Sequence, residues 1–354
     1  MRTMPFSFRT PFSTQLAVAA PSRASDPPAN VRTPRLPLEG DRAGPVSKRR
    51  KPKKPRPPGP KVHGGPRLVT PDSAASPRGI PRLPADMRAM ERVTASIAPR
   101  RTGKRGKELD LQDAQDLIYD AWETADPRER VRLANEALLH SDDCADAHVI
   151  LAEEIPGTLE QKREMYTAGV DAGERAIGER AFREDVGHFW GLLETRPYMR
   201  ARAGFAACLW QLGEREEAVA HRRDMLRLNP NDNQGIRYTL LGCLLAMGSD
   251  ERAAEILDDA EYSDDATATW PYSQTLLAYR RTGLGERAEA LLSEARRTNP
   301  HVPAYLLGKK ALPEELPEMV GFGDESEAIA YPADNLEAWR STPGALEWLG
   351  KATV

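Results

Sequence analysis

Residues 213–230 read Gly213-Glu-Arg-Glu-Glu-Ala218-Val-Ala-His-Arg-Arg-Asp-Met225-Leu-Arg-Leu228-Asn229-Pro230. Residues 283–300 read Gly283-Leu-Gly-Glu-Arg-Ala288-Glu-Ala-Leu-Leu-Ser-Glu-Ala295-Arg-Arg-Thr298-Asn299-Pro300. Gly213 and Gly283, Ala218 and Ala288, Asn229 and Asn299, Pro230 and Pro300 each stand seventy residues apart. Small residues at such positions let paired helices approach closely, and the proline stops the second helix of the pair. Seventy is close to two periods of a roughly 34-residue helix-turn-helix unit that stacks on copies of itself.

Such a unit is the tetratricopeptide repeat, and worked outward from these stretches the chain reads as an all-α, tetratricopeptide-like solenoid over residues 108–301. Leu111, Leu117, Ile118, Ala121 and Trp122 share one helical face. Asp126-Pro127-Arg128-Glu129 then supplies a cap, a first-turn proline and a capping-box glutamate for a second helix through Val131, Leu133, Ala134, Ala137 and Leu138. Ala145–Glu154 and Gly157–Gly178 form a second pair, whereas 179–198 fits no repeat and reads as an insertion. Met199–Gly213 with Glu214–Leu228, Asn233–Met247 with Asp250–Ala260, and Thr269–Arg281 with Glu286–Arg297 complete pairs three to five. Beyond Pro300 the spacing predicts a short turn at Val302–Gly308. A helix opened by Asp324-Glu-Ser-Glu327 follows, which Pro332 should kink, and then a last helix after Thr342-Pro343. Residues 302–354 are therefore expected to cap the terminal apolar face of the stack.

Composition divides the 354 residues unevenly. Residues 1–107 hold 19 of the 30 prolines and carry 24 Lys+Arg against 6 Asp+Glu, so an overall charge of −3 hides a basic first part and an acidic remainder. With so little hydrophobic periodicity, 1–107 is expected to be a disordered Pro-rich tail. Its run Lys48-Arg-Arg-Lys-Pro-Lys-Lys-Pro-Arg56 is a candidate nuclear-localisation signal or an anchor on nucleic acid or acidic lipid. No aromatic residue interleaves it, which argues against base readout. An alternative is that translation starts downstream, at Met87 or Met90. No apolar run approaches the roughly 20 residues that span a bilayer. Cys144, Cys208 and Cys243 are scattered and form no metal or redox motif, which suits a reduced, cytoplasmic setting.

No phosphate loop, nucleophile elbow or zinc-protease motif occurs, so neither an enzyme nor a bound cofactor is expected. His188, with Glu184, Asp185 and Glu194 nearby, could be drawn as an acid-base or metal cluster, but a helical metal site wants a second imidazole. Packing of Phe189, Trp190, Leu192 and Leu193 between repeats is the expected role of that segment. Paired acids such as Asp142/Asp143, Asp258/Asp259 and Asp264/Asp265 read as solvated turn residues. In a tetratricopeptide stack the first helices line a concave groove. That register puts Tyr119 and Trp122, Arg200 and Trp210, Arg237, and Trp270, Arg280 and Arg281 there as candidate partner-binding residues. Aromatic and arginine side chains make interface hot spots, and the arginines suit an acidic peptide or protein segment. Ala203, Ala207, Ser273 and Leu277 stand where chaperone-tail clamps carry Lys and Asn.

Asn299-Pro-His-Val-Pro-Ala-Tyr-Leu-Leu307 and Gly323-Asp-Glu-Ser-Glu-Ala-Ile-Ala-Tyr331 resemble the C-terminal part of the suppressor of tumorigenicity 7 family. Asp143-Cys-Ala-Asp-Ala147, Gly187-His-Phe-Trp-Gly-Leu-Leu-Glu-Thr-Arg-Pro-Tyr198 and Asn229-Pro-Asn-Asp-Asn-Gln-Gly235 resemble its soluble, tetratricopeptide-containing relatives. The likeness covers about 110–350 and implies a helical-repeat protein without catalytic residues to transfer. This sequence departs from the animal members in having no membrane segment, and Pro332 within the cap helix is a second departure. The expected function is a non-catalytic scaffold that holds a protein segment in the groove. The alternative is an adaptor acting through the basic tail.

Overall fold

Pairs of helices follow one another along the chain because each apolar stripe finds its cover on the neighbouring helix. The computed structural model describes residues 91–95, 106–313, 316–317 and 320–352, all within one contact unit. Every regular element among them is helical. The basic run Lys48–Arg56 and the alternative starts lie outside the described residues.

The first pair is α1 (Lys107–Glu123) and α2 (Pro127–His140). Asp126 accepts the Arg128 amide at 3.0 Å, and Pro127 needs no partner for an absent N–H. Ala114, Ile118 and Ala121 meet Leu133, Ala134 and Ala137 in one core. Glu129 does not complete a capping box; its carboxylate holds Arg132 instead. The second pair is α3 (Ala145–Glu154) and α4 (Leu159–Ile177). Here a reciprocal capping box does form: Gln161 N–H donates to Thr158 Oγ1, and Thr158 N–H donates to Gln161 Oε1.

The stretch 179–198 holds α5 (Ala181–Glu184) and a 3-10 turn (Leu193–Thr195). The third pair, α6 (Arg196–Gln211) and α7 (Arg215–Leu228), begins three residues before the expected Met199, because Pro197 sits comfortably in a first helical turn. Gly204 of α6 is required by close approach: a Cβ there would lie 2.0 Å from Cε1 of Tyr166 on α4. Phe189 is buried among Phe182 and Tyr198, and the amides of Gly187 and Phe189 both donate to the Leu228 carbonyl. This segment is thereby stitched to the end of α7. The fourth pair is α8 (Ile236–Ala246) and α9 (Asp250–Leu257); the fifth is α10 (Thr269–Thr282) and α11 (Glu286–Thr298). Ala218 and Ala288, the recurring alanines, are both fully buried.

Two segments depart from expectation. Within the stretch read as a disordered tail, residues 91–95 are helical and Glu91 is buried. At the other end come α12 (Val302–Leu306), α13 (Glu325–Ser341) and α14 (Ala345–Ala352). Instead of only closing the last pair, α13 lies along α8 of the fourth pair, and also meets α10 through Tyr272 and Tyr331, whose ring centres are 5.5 Å apart. Gly242 makes room for it, since a Cβ at that position would lie 2.5 Å from the Asp334 carbonyl oxygen. Helix α13 runs through Pro332, which is itself buried.

Candidate interaction site

The first helices of the pairs, α1, α3, α6, α8 and α10, bear the residues expected to face a partner. The structure gives most of them work inside the chain. Arg200 on α6 reaches across to α3, where its Nε and Nη2 donate to the two oxygens of fully buried Asp146 at 2.7 and 2.6 Å. Gln115 of α1 donates to the same carboxylate at 3.0 Å. The guanidinium lies over the Trp122 ring, 4.9 Å from its centre, with Tyr119 edge-on to that ring at 5.8 Å. Its remaining edge, Nη1, donates to Glu91 at 2.8 Å. Arg196, one turn earlier on α6, meets the same Glu91 oxygen at 3.2 Å and lies over Trp190 at 5.4 Å. Burial drives the Tyr119 phenol well above its usual range, with the Glu91 charge adding to the effect and Arg200 opposing it.

Arg237 on α8 sits in a second closed network. It bonds Asp265 at 2.9 Å and Asp232 at 3.0 Å, beneath the rings of Tyr238, Tyr262 and Trp270. Asp232 also caps α8, accepting the amides of Ile236 and Arg237 at 2.7 and 2.9 Å. Its backbone is left-handed, with φ of 44°, a region that Asp enters more readily than most residues because its short side chain bonds locally. Burial raises its carboxyl to about 6, against the pull of Arg237 and the helix amides. Arg280 on α10 ties three helices together. It donates to Asp250 and to the Leu245 carbonyl, both at 2.8 Å, and to Ala338 and Thr342 of the α13 end at 3.0 and 2.7 Å.

Of the eight candidates, then, Tyr119 and Trp270 are buried, and Trp122 and Arg200 are covered by one another and by Glu91. Arg237 and Arg280 are spent on internal bonds, and Trp210 lies half-buried under Arg215, 4.7 Å away. Arg281 is exposed. Arg200, Arg237 and Arg280 thus serve as three separate internal anchors. Asp265 is a correction to the reading of turn acids as solvated, since its side chain is 2 % exposed and holds Arg237. His188 is exposed, and Glu184 near it pairs with Arg180. Among the described residues no three His, Cys, Asp or Glu side chains gather in a metal-holding group.

The residues that the sequence did not disclose are acids completing these anchors: Glu91 and Asp146 at Arg200, Asp232 at Arg237 and Asp250 at Arg280. Asp146 had one signal, its place between Ala145 and Ala147 on a largely apolar helix. Glu327 receives the Ala268 amide and the Asn299 side chain at 2.8 and 2.9 Å. Asp334, half-buried in a cleft with Tyr238, Thr269, Phe322 and Glu327, is pushed up to about 6 by burial, with Arg222 opposing. No helix among the described residues is long and apolar enough to cross a membrane.

Comparison with known proteins places this architecture. The family model described as "ST7 protein" matches residues 106–352. The cattle and human proteins named suppressor of tumorigenicity 7 protein-like are each 30 % identical over 261 residues, 68 % of this chain. The Drosophila melanogaster protein named Protein ST7 homolog is 27 % identical over 263 residues. The chain spans about half the length of these relatives, 46 %, 45 % and 48 % respectively. No solved structure matches. With all of α1 to α14 inside the matched stretch, the chain belongs to the ST7 family.

Proposed function

We propose that the chain is a non-catalytic scaffold, a tetratricopeptide-like stack whose first-helix side engages a helical segment of a protein partner. The observation carrying this reading is that the same side already accepts helical segments of the chain itself. Residues 91–95 seat Glu91 against α6, and α13 lies along α8 with its end bonded to Arg280 of α10. The non-catalytic part is supported by the thiols: burial pushes Cys208 and Cys243 to about 11 and Cys144 to about 12, far from a nucleophile poised near neutrality. A cytoplasmic setting, which keeps those three cysteines as thiols, goes with the proposal.

Photo-crosslinking tests it. A benzophenone side chain at Ala203 or Ala207, half-exposed on α6, should capture a discrete partner in cells, while one at Leu139, exposed on α2, should not. Capture from Leu139 alone would place binding on the second-helix side and end the reading.

A further inference from the structure

We infer that the cleft between α8, the start of α10 and α13 takes the ammonium end of a lysine side chain from a protein partner, with the Asp334 carboxylate as its acceptor. The inference rests on the scaffold reading for the source of that lysine, and it adds the chemistry of one side chain such a partner presents. Three observations carry it. First, the acid is placed by the helices. Glu327, Ala330, Tyr331 and Asp334 recur at helical spacing on one face of α13 and line the cleft together. Gly242 on α8 lets the α13 backbone come close at Asp334, where a Cβ would meet the carbonyl. Tyr238, one turn before Gly242, lines the cleft from the α8 side.

Second, that carboxylate is unanswered while its neighbours are not. Glu327 already accepts the amides of Ala268 and Gly323 and the Asn299 side chain, at 2.8, 2.9 and 2.9 Å. The hydroxyls of Tyr238 and Thr267 are given to Asp265 at 2.8 and 2.6 Å. No group among the described residues donates to the Asp334 side chain. Arg222, whose charge acts on it, gives its Nη1 to the Ala206 and Ala218 carbonyls at 3.3 Å. A carboxylate held away from water without a donor is costly to ionise, so a cation entering the cleft is favoured there. Third, size and lining select the cation. About 50 Å³ of the cleft is open to the centres of water-sized groups. A water needs roughly 10–15 Å³ on that scale, so roughly four non-hydrogen atoms fit. Leu316, Val320 and Phe322 complete the walls. Apolar walls around one acid suit methylenes leading to a compact charge, and the aromatic rings attract a cation. A guanidinium would bring five donors to a single open carboxylate.

The test uses the full chain with isotope-labelled alanine and valine methyl groups, and Ala330 and Val320 report in the NMR spectrum. n-Butylammonium should shift these two signals to saturation. Its neutral match n-butanol should bind about tenfold more weakly, the loss expected for one charge-assisted bond. Asp334→Asn should lower the ammonium affinity by a similar factor and leave butanol binding as it was. Nα-acetyllysine methylamide should displace n-butylammonium from the same signals. Equal binding of ammonium and alcohol, or an unchanged ammonium affinity in Asp334→Asn, would show that the carboxylate is not read. Shifts scattered over the chain, or absent at Ala330 and Val320, would remove the site. Failure of the lysine derivative to compete would remove a protein lysine as its occupant. Each of these failures leaves the scaffold reading standing where crosslinking at Ala203 still captures a partner. Loss of that capture with cleft binding intact would remove the scaffold reading alone.

Discussion

Replacing Gly242 by alanine asks whether α13 truly lies on α8, and the sign of the answer decides. In an isolated helix the change is favourable, because glycine costs about 1 kcal/mol relative to alanine in a helix interior. In this chain the new Cβ would stand 2.5 Å from the Asp334 carbonyl oxygen, 3.1 Å from its carbon and 3.3 Å from its Cβ. Ordinary contact begins at 3.4 Å, so α13 must retreat by about 0.9 Å, and the offending atoms are mostly backbone that no rotamer change can remove. Overpacking of this kind costs roughly 1–3 kcal/mol. The sum is a net loss of up to about 2 kcal/mol, concentrated on one contact. Urea unfolding should show the loss in midpoint, and amide exchange should accelerate across residues 325–341 more than across α1 to α4. A variant that gained ~1 kcal/mol with exchange in α13 unchanged would mean that helix propensity alone is at work, and the α8–α13 packing would be refuted.

The recurring asparagines should part company. Asn299 donates to Glu327 and to the Asp324 carbonyl and accepts the His301 amide, whereas the Asn229 Nδ2 is buried without an acceptor. Asn299→Ala should therefore cost on the order of 2–3 kcal/mol in chemical denaturation and Asn229→Ala under about 1; equal costs would remove the distinction. Arg280→Lys keeps the charge but cannot span the ends of α8 and α13 with one ammonium, so a loss of about 2 kcal/mol is expected, and an unchanged urea midpoint would contradict it. Asp334 titrates at about 6 in the folded chain against an ordinary 3.8. The folded chain thus holds that proton more tightly than the unfolded one, and the contribution to stability falls as pH rises through that window and is flat above it. Asp334→Asn should be more stable than wild type by roughly 1–3 kcal/mol at pH 7.5 and indistinguishable near pH 4. A difference independent of pH would sink the assignment.

Much of the helical order was legible because it depends on local periodicity and on terminators. The pairs around Ala218 and Ala288, the Asp126-Pro127 start and the Asp324 cap were all written into neighbouring residues. Asp324 accepts the amides of Ser326 and Glu327 as its sequence context implies. Capping glutamates were less legible, because a carboxylate at the third helical position has other partners, both one turn along its own helix and far away in sequence. Glu129 turned to Arg132, and Glu327 turned to Ala268 and Asn299, 59 and 28 residues away. The sites were least legible. A register argument places Arg200, Arg237 and Arg280 on the inner side of a stack, and they are on first helices as it requires. What it cannot supply is the identity of the acid that meets each one, since Asp146, Asp265 and Asp250 come from other layers, 54, 28 and 30 residues distant.

That pattern bears on how such a surface could serve a partner. An arginine left open to water can bind by simple addition, but Arg200, Arg237 and Arg280 are each already engaged by a carboxylate of the chain. The acids facing Arg237 and Arg280 belong to the folded pairs and their loops: Asp232 caps α8, Asp265 also accepts the Tyr238 hydroxyl, and Asp250 opens α9. Breaking either set would leave charges buried and unpaired, at a cost of about 3–5 kcal/mol, and would loosen whole helices.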